Sequence, residues 1–284
     1  MRILNLGAGY TASFLADEFG SEHDVVFLTR RPDELRAQGR KTLNLKREIE
    51  QDFPEGKFDL ILDTVPAVFT GAEKIASWDP PYRQETEEIL SRFPRAVTVH
   101  ISSTSVYPGG GVAADPEDLE SYDENTPPDP TSPQGEKRLL LENRLRELYP
   151  SLRIARSGGI YGPGRALALR FLEGDFGRTG GENRIVSRIH VLDLVRVCLA
   201  LAERPGNPDL VNAVDPHPSS NRETFLYLEE ILGITIPGEW RKGACRGRFI
   251  RSLYASDLLG GGFRFPSYRE GFADVLAKRD RGGA

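Results

Sequence analysis

The stretch Ile3-Leu4-Asn5-Leu6-Gly7-Ala8-Gly9-Tyr10-Thr11-Ala12 takes the chain from an apolar run through a glycine turn toward a helix. In such a Gly-x-Gly-x-x-Ala turn the first glycine permits the tight bend. The second lets a pyrophosphate approach the backbone, and the small third residue lets helix and strand pack closely. A helix is predicted over Ser13–Phe19, with Gly20 as its stop. The strand–turn–helix setting predicts a dinucleotide site at Gly7, Gly9, Tyr10, Thr11 and Ala12. A tight turn with only a structural role is the alternative.

Outward from this turn, apolar strand-like runs alternate with helix-like segments, which predicts a parallel sheet covered on both faces. The next strand, Asp24–Leu28, ends in Thr29-Arg30-Arg31-Pro32, about twenty residues past the glycines, where an acidic residue would bind an adenosine ribose 2′-hydroxyl. Thr29, Arg30 and Arg31 instead offer a fork for a 2′-phosphate, which points to NADP(H) with NAD(H) as second choice. A solvated turn is the alternative reading. Phe58–Val65 reads as a buried strand that delivers Thr64, Val65 and Pro66 to the sheet edge facing the ligand crevice. A helix containing Gln84–Phe93 leads to the strand Ala96–Ile101 and then to Ser102-Ser103-Thr104-Ser105-Val106-Tyr107.

The fold class is therefore α/β: a Rossmann-type doubly wound parallel sheet over residues 1–161, with a smaller, interleaved substrate lobe over residues 162–284. Of the 284 residues 39% are apolar, ample for a core, and no apolar run has the length of a membrane span. The net charge of −5, without a long basic run, argues against nucleic acid as partner. Cys198 and Cys245 show neither metal-ligand nor redox spacing, and the N-terminus has no signal-peptide pattern, so a cytoplasmic protein with a small-molecule substrate is expected.

Four blocks carry a resemblance. Asn125-Thr126-Pro127-Pro128-Asp129-Pro130-Thr131-Ser132-Pro133-Gln134-Gly135-Glu136-Lys137-Arg138-Leu139-Leu140-Leu141-Glu142 is similar to a Pro-x-Ser-Pro-Tyr-Gly-x-Ser-Lys-x-x-x-Glu helix. Ser102–Tyr107 is similar to a Ser-Ser-x-x-Val-Tyr strand end. Leu152–Arg165 resembles a Leu-Arg-x-x-x-x-Val-Tyr-Gly-Pro-Gly strand and loop, and His190-Val191-Leu192-Asp193 a His-Val-x-Asp segment. Together they resemble the atypical extended short-chain dehydrogenase/reductases, of the NAD(P)-dependent epimerase/dehydratase kind, across nearly the whole chain.

The resemblance implies that Ser103 hydrogen-bonds a substrate oxygen and that the loop at Tyr161 closes over the nicotinamide. It also places Gln134 where the family has its catalytic Tyr, and Arg138 where it has its Lys. A phenol with an ammonium beside it exchanges protons; an amide does not, and a guanidinium stays charged. Lys137 is no substitute, because one residue along a helix rotates the side chain by about 100°. Tyr107 and Tyr161 are the other phenols at this edge, as acids or as aromatic packing. Asp193 reads as a helix N-cap and His190 as packing. The expected function is an NADP(H)-dependent oxidoreductase or epimerase-like enzyme on a sugar or small carbonyl or hydroxyl substrate, using Ser103 with a non-standard acid. The alternative is a non-catalytic NADP(H)-binding, redox-sensing module. Family members pair through the active-site helix, which implies a homodimer; burial of Leu140, Leu141, Leu145 and Leu148 in the core accounts for that pattern equally well.

Overall fold

The computed structural model describes residues 1–45, 57–65, 87–176, 183–203, 206–241 and 243–282. The chain divides into two compact units. The first comprises Met1–Ser103, Pro133–Ala155 and Cys198–Leu210, and the second Thr104–Ser132, Arg156–Val197 and Val211–Ala284.

Seven strands form one sheet: β1 (Arg2–Leu6), β2 (Asp24–Thr29), β3 (Lys41–Asn44), β4 (Leu60–Asp63), β5 (Val97–Ser103), β6 (Leu152–Ser157) and β7 (Leu210–Ala213). Their order is β7-β6-β5-β4-β1-β2-β3, with β1 paired in parallel to both β2 and β4. The winding direction reverses between β1 and β4, the place where open α/β sheets bind ligands. Strands covered on both faces read as continuous apolar runs, and Val25–Leu28 and Leu60–Leu62 are buried throughout. Leu4, Leu6, Val26, Ile61, Leu141, Leu145 and Ile154 belong to one core cluster of the first unit.

Several local boundaries differ from the sequence reading. Helix α1 (Tyr10–Phe19) starts at Tyr10, three residues early, because Gly9 in extended geometry already serves as its N-cap. Strand β5 continues through Ser102 and Ser103. Strand β7 (Leu210–Ala213) forms the edge of the large sheet, where Ile154 donates to the Asp209 carbonyl and Gly158 to the Ala213 carbonyl. In helix α2 (Pro133–Leu148), Leu141 and Leu145 are buried while Leu140 and Leu148 stay exposed, so core burial explains half of that leucine pattern. Helix α3 (Val191–Glu203) is buried around most of its circumference, with Val191, Leu192, Leu194, Val195, Val197 and Cys198 inside. Among the described residues no helix is long and apolar enough to cross a membrane.

His190 is packed as expected, its ring against Phe265 and Tyr161, but it also takes the capping position expected of Asp193. His190 precedes α3, and its Nδ1 accepts the Leu192 N–H at 3.3 Å, a capping contact. Asp193 lies inside the first turn, fully buried, and accepts the backbone N–H groups of Arg264 and Phe265 at 3.0 and 2.8 Å while Arg196 pairs with it at 2.6 Å. A carboxylate one turn into the helix reaches a distant loop that a cap residue would not.

The second unit has an aromatic core of Tyr161, Phe171, Phe225, Trp240, Tyr268 and Phe272. Short ladders bring distant segments together: Gly159–Tyr161 with Arg188–His190, Gly111–Ala113 with Cys245–Gly247, and Ser121–Tyr122 with Phe249–Ile250. Helix α4 (Asn221–Leu232) opens on a reciprocal capping box between Ser220 and Glu223 and ends at Gly233 with φ +64°. Helix α5 (Tyr268–Gly282) needs glycine at 271, since a Cβ there would stand 2.0 Å from the Tyr161 hydroxyl.

Asp215 and Arg188 are buried ionisable groups on hydrogen-bonded segments, the Asp215 N–H donating to the Arg188 carbonyl at 2.7 Å. Arg188 Nη1 is engaged by the Val186 carbonyl and by Ser219 Oγ, and Asp215 Oδ2 is buried without a hydrogen-bond partner among the described residues. Burial pushes the Asp215 carboxyl up to about 8, with Asp193 and Glu270 adding to the shift and the His217 N–H and Arg188 opposing it. The folded protein thus holds a proton here that the unfolded chain, near the ordinary 3.8, releases. This contribution to stability is complete below about pH 4 and is lost as pH rises through about 8. Asp215→Asn removes that loss. Thermal melts of the two proteins should diverge in favour of the variant between about pH 5 and 8, while His190, held near 4 by burial, contributes equally to both. Parallel melting curves would rule out a protonated Asp215.

Candidate functional site

The glycine turn closes between β1 and α1. Gly7 has φ +94°, a conformation that favours glycine, and its N–H donates to the Leu28 carbonyl at 3.0 Å. A Cβ on Gly7 would meet Thr64 Oγ1 at 3.1 Å, so the turn sits against the end of β4. Thr64 Oγ1 in turn donates to the Leu6 carbonyl at 2.7 Å, and Val65 is buried. Gly9 faces open space: a Cβ there would touch nothing within 4 Å. No side chain caps α1 and no acidic residue occupies its first turn, so the backbone N–H groups at Tyr10, Thr11 and Ala12 begin a helix whose positive end is left for an anion. Thr11 and Ala12 are buried, and Tyr10 stacks edge-on with Phe14 at 5.0 Å. These residues fit a dinucleotide pyrophosphate. Pro66 lies outside the described residues.

At the end of β2, Thr29 is buried and its Oγ1 accepts the Arg31 N–H at 3.1 Å, which fixes the bend. Arg30 and Arg31 are both exposed, and Arg31 forms a surface pair with Glu34 at 3.3 Å. Such a pair contributes little and a phosphate can displace it.

The third part of the edge is β5 with α2. Ser103 ends the strand, half-buried, and Ser102 Oγ donates to Glu142 Oε1 at 2.5 Å. Glu142 is buried on α2, one turn beyond Arg138 and two beyond Gln134, so the three share a helix face. Gln134 is exposed and Arg138 half-buried. Burial lowers the Arg138 pKa and Glu142 opposes that, which leaves the guanidinium charged.

The remaining phenols are engaged in the second unit. The Tyr107 hydroxyl donates to Asn212 Oδ1 at 2.9 Å, with Arg156 over its ring at 4.9 Å, and burial raises its pKa. The Tyr161 hydroxyl donates to the Ser267 carbonyl at 3.1 Å; its ring packs edge-on against His190 and Phe272, and burial raises its pKa strongly. The loop that follows Ser103 is held by Arg248, whose Nη2 and Nη1 donate to the carbonyls of Thr104 and Gly109 at 3.0 and 3.4 Å.

Sequence reasoning passed over three groups. Asn5, fully buried, donates from Nδ2 to the Gly7 carbonyl at 2.8 Å and braces the turn from beneath. Asp63 and His100 are register partners on β4 and β5, with Oδ2 and Nδ1 2.9 Å apart, and Asp63 Oδ1 accepts the Val65 N–H at 3.1 Å. Glu124 accepts from Asn212 N, Ser252 Oγ and Leu253 N, joining three segments of the second unit. Polar residues within otherwise apolar strands were the available signal for Asn5, Asp63 and His100, since a buried polar group needs a partner.

The open space at Gly9 makes a test direct. Gly9→Val should leave the circular dichroism and melting temperature close to those of the parent and reduce dinucleotide binding at least a hundredfold in calorimetry. Unchanged binding by a folded variant would make the turn structural only.

No protein-family model matches the sequence, and no curated protein matches it either. Solved structures do match, end to end. A candidate NAD-dependent epimerase/dehydratase from Methylobacillus flagellatus is 23% identical, covers 98% of each chain and gives a TM-score of 0.73. A conserved protein of unknown function from Silicibacter pomeroyi is 23% identical over 98% of each chain, with a TM-score of 0.72. The UDP-glucuronic acid 4-epimerase from Bacillus cereus, solved in complex with NAD, is 20% identical over 98% of this chain and 99% of its own, at 0.67. Along its whole length the chain thus has the fold of the NAD-dependent epimerases and dehydratases, the same extended short-chain dehydrogenase/reductase fold that its motifs resemble.

Proposed function

We propose that the protein binds a nicotinamide dinucleotide at the Gly7–Ala12 turn, NADP(H) in preference to NAD(H), and acts on a sugar nucleotide or other small hydroxyl- or carbonyl-bearing substrate as an oxidoreductase or epimerase-like enzyme. The observation that carries this reading is the uncapped amino end of α1 beside an open Gly9, at the switch point between β1 and β4. The whole-length likeness to structures that hold NAD and sugar nucleotides supports it. When bound, the dinucleotide would accept or supply a hydride. The chain's own part is to orient and to stabilise charge. Gly7, Gly9, Tyr10, Thr11 and Ala12 hold the pyrophosphate, Thr64 and Val65 flank it, and Thr29, Arg30 and Arg31 read the 2′-phosphate. Ser103 donates to the substrate oxygen, and Arg138 holds positive charge beside it.

Gln134 cannot act as the acid, and we assign the proton to water at this edge. Tyr161, the sequence's candidate, suits packing better, since its hydroxyl already donates to a carbonyl and burial holds its proton. Those same engaged phenols favour a second reading, a protein that binds NADP(H) and reports its redox state without turnover.

Calorimetry and NADPH oxidation across a panel of aldehydes and keto-sugars test both readings. NADPH should bind at least tenfold tighter than NADH, because each charge-assisted hydrogen bond to the 2′-phosphate contributes on the order of 1.5–3 kcal/mol. Arg30→Asp should erase the preference. Equal affinities of the unmodified protein for NADPH and NADH exclude the 2′-phosphate fork, and binding without oxidation of NADPH across the panel selects the sensing module.

A further inference from the structure

We infer that Gln134 and Arg138 form a carboxylate clamp, and that the ligand taken at the β5–α2 edge carries a carboxylate group. The inference deepens the functional reading above and rests on its placing the substrate at this edge.

The geometry starts from the direction of α2. Its third turn is fixed at the end of β5 by Ser102 Oγ on Glu142, and the residues just past its last turn reach the start of β5, where Ser151 Oγ donates to the Ala96 carbonyl at 3.1 Å. The helix therefore runs antiparallel to the strand, and its amino end extends beyond the strand's carboxyl end. Arg138 is four residues, about 6 Å, further toward that end than Glu142, and Gln134 as far again. Both side chains stand on the face that Glu142 uses to reach β5.

Arg138 is half-buried, yet among the described residues its guanidinium makes neither a hydrogen bond nor an ion pair. The carboxylate one turn away, Glu142, is taken by Ser102. Gln134 is exposed and likewise makes no hydrogen bond among the described residues. A guanidinium is a planar fork of donors that matches a carboxylate in two parallel hydrogen bonds, and an amide one turn away adds another donor. Neither group gives up a proton near neutral pH, so the pair suits a charge that persists in the ligand.

The sum of charges selects the ligand. One guanidinium neutralises one negative charge, as a carboxylate carries. A phosphate monoester brings between one and two charges, and the neighbouring Lys137 is rotated about 100° away. Replacement of an ammonium by a guanidinium also exchanges a point charge for a fork, which adds directional selectivity.

The test uses the full chain and calorimetry, with and without saturating NADP⁺. UDP-glucuronic acid and UDP-glucose serve as probes, since they differ by one carboxylate. UDP-glucuronic acid should bind about tenfold tighter or better, as expected for a hydrogen-bonded charge pair. Arg138→Met should bring the two affinities within about twofold, Arg138→Lys should keep part of the difference, and Gln134→Leu should reduce it about threefold. Melting curves establish that each variant is folded. Equal affinities in the parent protein overturn the clamp, as does a preference that survives Arg138→Met. Failure of both probes to bind a chain that does bind NADP⁺ also overturns it and leaves the dinucleotide reading standing. Absence of NADP⁺ binding by the parent overturns that reading, and the measurement without cofactor then judges the clamp alone. Displacement of UDP-glucuronic acid by inorganic phosphate, lost in Arg138→Met, would replace the carboxylate by a phosphate.

Discussion

Parallel pairing at the centre of the sheet is the constraint on which the rest depends. Because β1 runs in register with both β2 and β4, and β4 with β5, every one of these strands delivers its carboxyl end to the same edge. The turns that follow must bend there, and each bends with a different chemistry. Gly7 takes a positive φ against Thr64, Thr29 accepts a hydrogen bond from Arg31, and Asp63 accepts one from Val65. Beneath them Asn5 Nδ2 donates to the Gly7 carbonyl, and Asp63 and His100 pair with each other inside the apolar sheet. The amino end of α1 is uncapped because Gly9 carries no side chain, so its orphan N–H groups remain for a ligand. Helix, glycine and switch point are parts of one arrangement.

Against that framework, an amide at Gln134 and a guanidinium at Arg138 give this helix face no group that exchanges a proton near neutral pH. Glu142 still anchors α2 to Ser102, so the helix face keeps its place beside β5. Positive charge persists at Arg138, partly desolvated, where Coulombic attraction is stronger than in water. In the function proposed above, this edge recognises charge and turnover draws its proton from elsewhere.

The second unit handles buried charge differently. Asp193 binds two backbone N–H groups of the Arg264–Phe265 segment and one arginine, whereas one oxygen of Asp215 has no hydrogen-bond partner among the described residues and burial pushes that carboxyl up. Glu124 acts as a junction, since one side chain ties the segments at Asn212 and Ser252–Leu253 to its own.

The sequence by itself determined the sheet and the glycine turn. Those features are written in local periodicity and in glycine spacing, neither of which requires a distant partner. It also shows that no acidic residue stands at the Thr29–Arg31 bend. Tertiary structure alone decided that α1 begins at Tyr10, that Leu210–Ala213 joins the large sheet, and that His190 caps α3 while Asp193 reaches a loop about seventy residues away. It alone paired Asp63 with His100 and Ser102 with Glu142, and engaged the hydroxyls of Tyr107 and Tyr161. The physical reason is the same in each case. A side chain's residue type sets what it can donate or accept, but its partner is set by which strands and loops the fold brings within hydrogen-bond distance, across 37 residues for Asp63 and His100 and 106 for Tyr161 and Ser267.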